Sequence, residues 1–201
     1  MKMPGSEYRA ISLQLQEEAQ ALLEELGLIA VLAESYGEPV VTGSLRYGLM
    51  VWRDIDIHLQ LAAENWVRWT ELGPIVAERI SAAGHRLHKA QFLNDYVDPH
   101  PLGAGLYWGI ELVTAAGNGW KLDLWGWEPD DFARRQRADS ELICALAAAD
   151  GDRILMLKHD ARALGLYGNE ILSMDIYRFV LGGHQGGLDD LRDWLVIDRR
   201  C

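Results

Sequence analysis

Apolar residues near the start of the chain recur every three or four positions, at Ile11, Leu15, Ala19, Leu22, Leu23 and Leu26, with Gln16, Glu17, Glu18, Glu24 and Glu25 between them. That period gathers the apolar side chains into one stripe and predicts an amphipathic helix over 7–26 that ends near Gly27, with Leu13 off the stripe. A short strand is expected over 39–42, broken by Gly43-Ser44. After the break, 45–51 has room for about two helical turns. Over 54–61 the alternation is strict: Ile55, Ile57, Leu59 and Leu61 share one face, and Asp54, Asp56, His58 and Gln60 share the other.

Farther along, 74–83 has the signature of a helix, with Pro74 in its first turn and Gly84 just past its end. The runs 106–113 and 120–127 are rich in aromatic and branched residues and flank Thr114-Ala115-Ala116-Gly117-Asn118-Gly119, which is hairpin chemistry. After Pro129 the expectation is wholly helical. Asp130/Asp131, Ser140, Asp152 and Asn169 are read as caps, and Gly165 and Gly182 as stops. No internal repeat is present, and Glu128-Pro129 is the best boundary, giving regions 1–128 and 129–201. The fold class expected is α+β: a small mixed β-sheet with flanking helices and a helical C-terminal part.

Composition narrows the function. The 201 residues are 49% apolar and 24% charged, enough for a sizeable core without disulfide staples. The formal charge of −11 provides no global positive field for phosphate backbones, so long nucleic acid is an unexpected partner. Cys144 and Cys201 are the only cysteines and form no metal-binding spacing, which suits a reduced, cytoplasmic protein. The N-terminal segment resembles neither a signal nor a transit peptide, and no apolar run approaches a membrane span, so no membrane role is expected.

The segment from Gly43 to Asp56 concentrates the chemistry. Gly43 allows a tight turn and close approach of backbone to a ligand, while Ser44 offers a hydroxyl and N–H groups to phosphate oxygens. Asp54 and Asp56, at i and i+2 of a strand, point the same way with Cβ atoms roughly 6–7 Å apart. Such a pair suits hard, oxygen-loving cations such as Mg²⁺. Two ions together can activate an attacking oxygen and stabilise a leaving one. From alternation alone, the pair reads equally well as the solvated face of an antiparallel strand.

Thr42-Gly43-Ser44, nine residues (45–53), then Asp54-Ile55-Asp56-Ile57 resembles the motif of the nucleotidyltransferase superfamily, which includes DNA polymerase beta and the antibiotic and minimal nucleotidyltransferases. Gly48 matches a glycine frequent in that motif, and Leu122-Asp123-Leu124 matches the family's third carboxylate on a later strand. Thr42 departs from the pattern's apolar residue, and Tyr47 and Arg53 stand where many minimal members carry Arg and Ser. The resemblance implies a nucleotidyltransferase core, with Asp54, Asp56 and Asp123 as catalytic metal ligands of a two-Mg²⁺ site and Asp123 also as base for the acceptor hydroxyl. It further implies that Gly43, Ser44 and a basic residue of the helical tail, Lys158, bind the nucleotide.

Other residues carry paired readings. Trp125 shares a strand face with Lys121, Asp123 and Trp127, so it either stacks on an acceptor ring or base or covers a helix. His58 is read as a solvated strand-end histidine in preference to a site contact, and His85 and His88 as surface residues. Lys158 and Arg162, one helical turn apart, face either the triphosphate or solvent. The glycine-rich 182–187 lacks the strand-loop-helix order of a phosphate loop and is a helix stop and turn.

The function expected is metal-dependent transfer of a nucleoside monophosphate, AMP from ATP by preference over another NTP, to a hydroxyl of a small-molecule acceptor such as an antibiotic. Transfer to a protein or tRNA is the alternative within the enzyme class, and a catalytically silent nucleotide-binding module is the alternative outside it. Partners are accordingly a nucleoside triphosphate and the small-molecule acceptor, with a homodimer as the assembly entertained.

Overall fold

The computed structural model describes residues 5–98 and 103–199. A long helix, α1 (Gly5–Leu26), is followed after Gly27 by α2 (Leu28–Tyr36). Strand β1 (Val40–Thr42), a single helical turn α3 (Gly43–Arg46) and β2 (Asp54–Gln60) come next, then α4 (Trp66–Thr70) and α5 (Leu72–Ala82). Three strands follow, β3 (Arg86–Asn94), β4 (Leu106–Val113) and β5 (Gly119–Trp127). The chain closes with α6 (Pro129–Ala147), α7 (Gly151–Ala163), α8 (Ser173–Leu181) and α9 (Leu188–Asp198).

The sheet order is β1-β2-β5-β4-β3. Only the central pair, β2 with β5, runs parallel; the other neighbours are antiparallel. The α+β architecture with a mixed sheet is therefore the one expected. Ile55, Ile57 and Leu59 are fully buried on one face of β2, beside Leu122 and Leu124 of β5 and the Leu22, Leu26 and Leu32 side chains of α1 and α2. Burial of such side chains is worth about 1.5–3 kcal/mol each, which fixes the strand register and sends Asp54, Asp56 and His58 to the opposite face.

A second apolar cluster joins Ile154, Leu157, Ile176, Phe179 and Leu191 of the C-terminal helices to Tyr8, Leu49 and Val51 from the first part of the chain. Helix α1 contributes to both clusters and ties the helical region to the sheet.

Several local expectations are corrected. The helix expected over 45–51 is one turn, because Gly48 takes φ +69 in the left-handed region and the chain leaves the helix through the buried Leu49, Met50 and Val51. Helix α2 escapes the pattern because Leu-Ile-Ala-Val-Leu-Ala is apolar on nearly every side, with no polar stripe to give a period. Strand β3 is an edge strand, largely exposed on both faces and bulged between Leu87 and Lys89, so alternation is missing there. Ser140 is inside α6, where its hydroxyl donates to the Gln136 carbonyl at 2.8 Å, and is not a cap. Asp150 caps α7 in place of Asp152, which sits in the first turn; Asn169 lies in the turn closed by the Tyr167–Ile171 bridge, and α8 begins only at Ser173. The stops at Gly165 and Gly182 and the turn over 182–187 are as expected.

Candidate active site

The polar face of the parallel pair brings together what the sequence keeps apart. Asp56 on β2 is the register partner of Asp123 on β5, and Asp54 is that of Lys121. Carboxylate oxygens of Asp54, Asp56 and Asp123 all lie within 4.8 Å of one another. Asp54 Oδ1 is buried with no hydrogen-bond partner among the described residues. Burial pushes the Asp54 carboxyl well above the usual carboxylate range, with the Asp56 and Asp123 charges adding to the shift. Burial, reinforced by Asp123, raises Asp56 to about 7. An orphaned oxygen and two carboxylates held above their ordinary range describe a site that fits a divalent cation.

Asp123 is anchored on both oxygens. The Tyr107 hydroxyl donates to Oδ1 at 2.6 Å, and Lys121 Nζ donates to Oδ2 at 2.6 Å. Gly109, the cross-strand partner of Asp123, has no side chain in the space through which Tyr107 reaches it. Burial lowers Lys121, but the charge and hydrogen bond of Asp123 together with the Asp54 and Asp56 charges outweigh it, and the ammonium ends above its ordinary value.

Beside the carboxylates the Gly43-Ser44 turn closes the cluster from β1. Lys158, fully buried on α7, donates to Ser44 Oγ at 2.7 Å, to the Leu49 carbonyl at 2.7 Å and to the Tyr177 hydroxyl at 3.2 Å. Burial drives its ammonium down to about 7, against the pull of Asp56 and Asp54. The structure thus rejects the solvated helix face for Lys158. Arg162 turns elsewhere: its guanidinium donates to the Val51 carbonyl at 2.5 Å and lines a cavity on the far side of Trp52.

A cavity of about 520 Å³ runs from the Gly43-Ser44 turn past Asp54 and Asp56 to Trp125, Trp127 and Arg135. Its aromatic end is a stack. Trp125 lies parallel to Trp127 with centroids 4.6 Å apart, Tyr107 packs on Trp125 at 4.6 Å, and the Arg135 guanidinium sits 3.5 Å over Trp127. Trp125 therefore meets the cavity as part of a ring assembly. His58 also lines it, edge-on to Trp127 at 5.7 Å, and burial followed by the Arg135 charge lowers its imidazole to about 4. The solvated reading of His58 is corrected: β2 runs between β1 and β5 with helix α6 packed against it, so its end is partly covered.

His85 is likewise buried. Its Nδ1 accepts from the Ala115 N–H at 3.2 Å and its Nε2 lies 3.2 Å from Glu25, which makes it a brace between hairpin and α1. His88 is exposed, as expected. The residue the sequence reading missed is Asp139 of α6. It accepts from Thr42 Oγ1 at 2.8 Å and from the Tyr47 hydroxyl, and pairs with Arg46 at 2.7 Å. The only signal for it is indirect, in the polar Thr42 and Tyr47 where the resembled motif has other residues. Burial, then the bond to Asp139, raises the Tyr47 phenol above its ordinary range.

No helix of the described residues is long and apolar enough to cross a membrane. No family model matches the sequence, and no curated protein does. Among solved structures the chain is similar to Cid1 in complex with the UTP analogue UMPNPP, at 16% identity and TM-score 0.42, over 74% of this chain and 41% of that one. It is also similar to a cytoplasmic RNA terminal U-transferase, at 17% identity and TM-score 0.38, over 78% of this chain and 47% of that one. The chain spans less than half the length of either neighbour.

Proposed function

We propose that the protein is a metal-dependent nucleotidyltransferase that moves a nucleoside monophosphate from an NTP to an acceptor hydroxyl and releases pyrophosphate. The observation that carries this reading is the convergence of Asp54, Asp56 and Asp123 within 4.8 Å beside a Gly-Ser turn backed by a buried lysine. Divalent cations such as Mg²⁺ held by the three carboxylates would offset the charge of the triphosphate and polarise the reacting oxygens. In the transfer, the bond from the acceptor oxygen to the α-phosphorus forms and the bond from that phosphorus to the pyrophosphate oxygen breaks.

Ser44 and the N–H groups of its turn receive the outgoing phosphates, and the Lys158 ammonium behind Ser44 supplies positive charge to them. Asp123 accepts the acceptor's proton, its carboxylate aimed by Tyr107 and Lys121. Residues 1–128 supply the carboxylates and the turn, while 129–201 supply Lys158 and the α6 wall of the cavity, so both regions complete one site.

The acceptor in this reading is a small hydroxyl compound, an antibiotic being the model case, with ATP as donor. Two observations support it: the cavity of about 520 Å³ is within the size range of small-molecule sites, and a charge of −11 repels a polynucleotide backbone. The test is pyrophosphate release from each of the four NTPs with Mg²⁺ or Mn²⁺, for wild type and Asp56→Asn, over acceptor pools of aminoglycosides, lincosamides, tRNA, RNA 3′ ends and protein. Release that depends on one pool and vanishes in the variant establishes the activity and its acceptor class. Release on the RNA pools alone replaces the small-molecule acceptor with a nucleic-acid end. Metal-dependent NTP binding with no release from any pool favours a silent binding module.

A further inference from the structure

Three side chains that bracket the Gly43-Ser44 turn end on one carboxylate. Asp139, 8% exposed in the middle of α6, accepts hydrogen bonds from Thr42 Oγ1 and the Tyr47 hydroxyl on Oδ1 and forms an ion pair with the Arg46 guanidinium through Oδ2. Thr42 enters the turn; Arg46 and Tyr47 leave it. The carboxylate is thereby hydrogen-bonded and charge-paired, as a buried ionised group must be. All three partners come from one short segment, so the grip acts on that segment as a unit.

The turn is seated by Thr42 in the β1–β2 ladder and by Leu45 in the core, and its polar flanks are held by side chains. Helix α3 is a single turn whose backbone bonds, such as Tyr47 N–H to the Gly43 carbonyl at 3.1 Å, are internal and do not fix it relative to the rest of the cavity. Lys158 holds it from behind through Ser44, while Asp139 holds its flanks from across the cavity. Helix α6 is in turn fixed one helical turn earlier by Arg135 over Trp127. The wall of the cavity and the phosphate-binding turn are thus joined through one carboxylate.

We propose that Asp139 is a positioning residue for the nucleotide: it locks the Gly43-Ser44 turn against α6, so that the Ser44 hydroxyl and the turn's N–H groups face the triphosphate, and it governs NTP binding through the turn. This inference rests on the nucleotidyl-transfer reading of the site. The competing role is purely structural, with Asp139 cementing α6 to the sheet, and it moves stability while leaving nucleotide affinity alone.

The experiment compares Thr42→Val, Tyr47→Phe, Asp139→Asn and the Thr42→Val/Asp139→Asn double variant by KM for NTP, kcat and thermal midpoint. Thr42→Val preserves the shape of the residue and leaves the Arg46–Asp139 pair intact, so it reports even where Asp139→Asn folds poorly. The expected result is a rise in KM of about tenfold for Thr42→Val and for Asp139→Asn, the weight of one hydrogen bond to a charged group, with a smaller change in kcat. The double variant is expected to be no worse than the poorer single, and Thr42→Ser to restore the wild-type KM. Wild-type KM in both Thr42→Val and Asp139→Asn, with only the midpoint lowered, overturns the inference and leaves the reading of the site standing. A wild type that neither binds nor turns over any NTP overturns the reading of the site, and the inference with it, before a variant is made.

Discussion

Gly43 and Asp56 lie so close that a Cβ on Gly43 would fall inside the Asp56 carboxylate. Gly43 also holds φ +65, a region L side chains rarely adopt. The glycine is needed twice, for the turn and for the approach of the turn to the acidic cluster. Gly43→Ala should displace the Asp56 carboxylate and cost about 1–2 kcal/mol from the backbone alone. A drop in transfer of at least about 100-fold is expected, the scale of a lost electrostatic group in an active site. Urea unfolding and a Mn²⁺ titration followed by electron paramagnetic resonance check both effects.

Asp56→Asn separates chemistry from folding. Burial and then the Asp123 charge already disfavour its ionised form, so removing the charge should leave the fold intact and raise the thermal midpoint of the metal-free protein by roughly 2–5 °C near pH 8. Transfer should be abolished. A variant that melts higher and does no chemistry has the behaviour of a functional site held under electrostatic strain; a variant with full activity removes Asp56 from the machinery.

Metal affinity should depend on pH through Asp56. Its folded value, raised from 3.8 to about 7, means that cation binding must expel a proton below neutrality, so the affinity should fall by up to about tenfold per pH unit there. The sign for stability runs with it. A carboxyl raised in the folded state binds its proton more tightly there than in the unfolded chain, so this contribution is full below about 4 and is lost as pH rises to about 7. Thermal midpoints of metal-free wild type, referenced to Asp56→Asn, should therefore fall between about pH 5 and pH 8. A flat difference across that range contradicts the assignment.

Lys158 is held by three convergent oxygens, from Ser44, Leu49 and Tyr177. Lys158→Met keeps most of the volume and removes the charge, and it should raise the NTP KM by about tenfold or more. Lys158→Arg should fail to rescue, because a planar guanidinium cannot satisfy three acceptors arranged around one nitrogen. Steady-state kinetics across the two variants, with thermal midpoints alongside, test the pair of expectations.

The parts legible in the sequence were those with a period or a motif. The α1 stripe and the Asp54–Gln60 alternation each bury one side against a core, which prints a 3.6- or 2-residue rhythm on the chain, and the β4–β5 hairpin is marked by aromatic and branched runs flanking Gly117-Asn118-Gly119. Helix α2 buries Leu28, Val31, Leu32 and Tyr36 but carries Ile29, Ala30 and Ala33 on its other side, so little polar contrast marks its period, and β3 is largely exposed on both faces. Asp54 and Asp56 were legible because they alternate with apolar residues at a fixed offset from Gly43-Ser44, and Asp123 because it sits between Leu122 and Leu124 on a later strand. Asp139 was illegible for the converse reason. It stands on α6 amid other charges, and only the tertiary meeting with Thr42, Arg46 and Tyr47 distinguishes it. The burial of Lys158 and His85 and the partial enclosure of His58 were hidden in the same way, since a polar residue carries no local mark of being enclosed.

The parallel pairing of β2 with β5 has a consequence for assembly. Asp56 and Asp123 are adjacent in space, yet between them the chain makes two helices and the β3–β4 hairpin before it returns. No local stretch of polypeptide can bring the carboxylates together, and closing so long a loop is among the slower steps available to a chain of this size. Cation binding then becomes a clock for folding: during renaturation, Mn²⁺ uptake should lag the appearance of helical signal and coincide with the closing of the central strands.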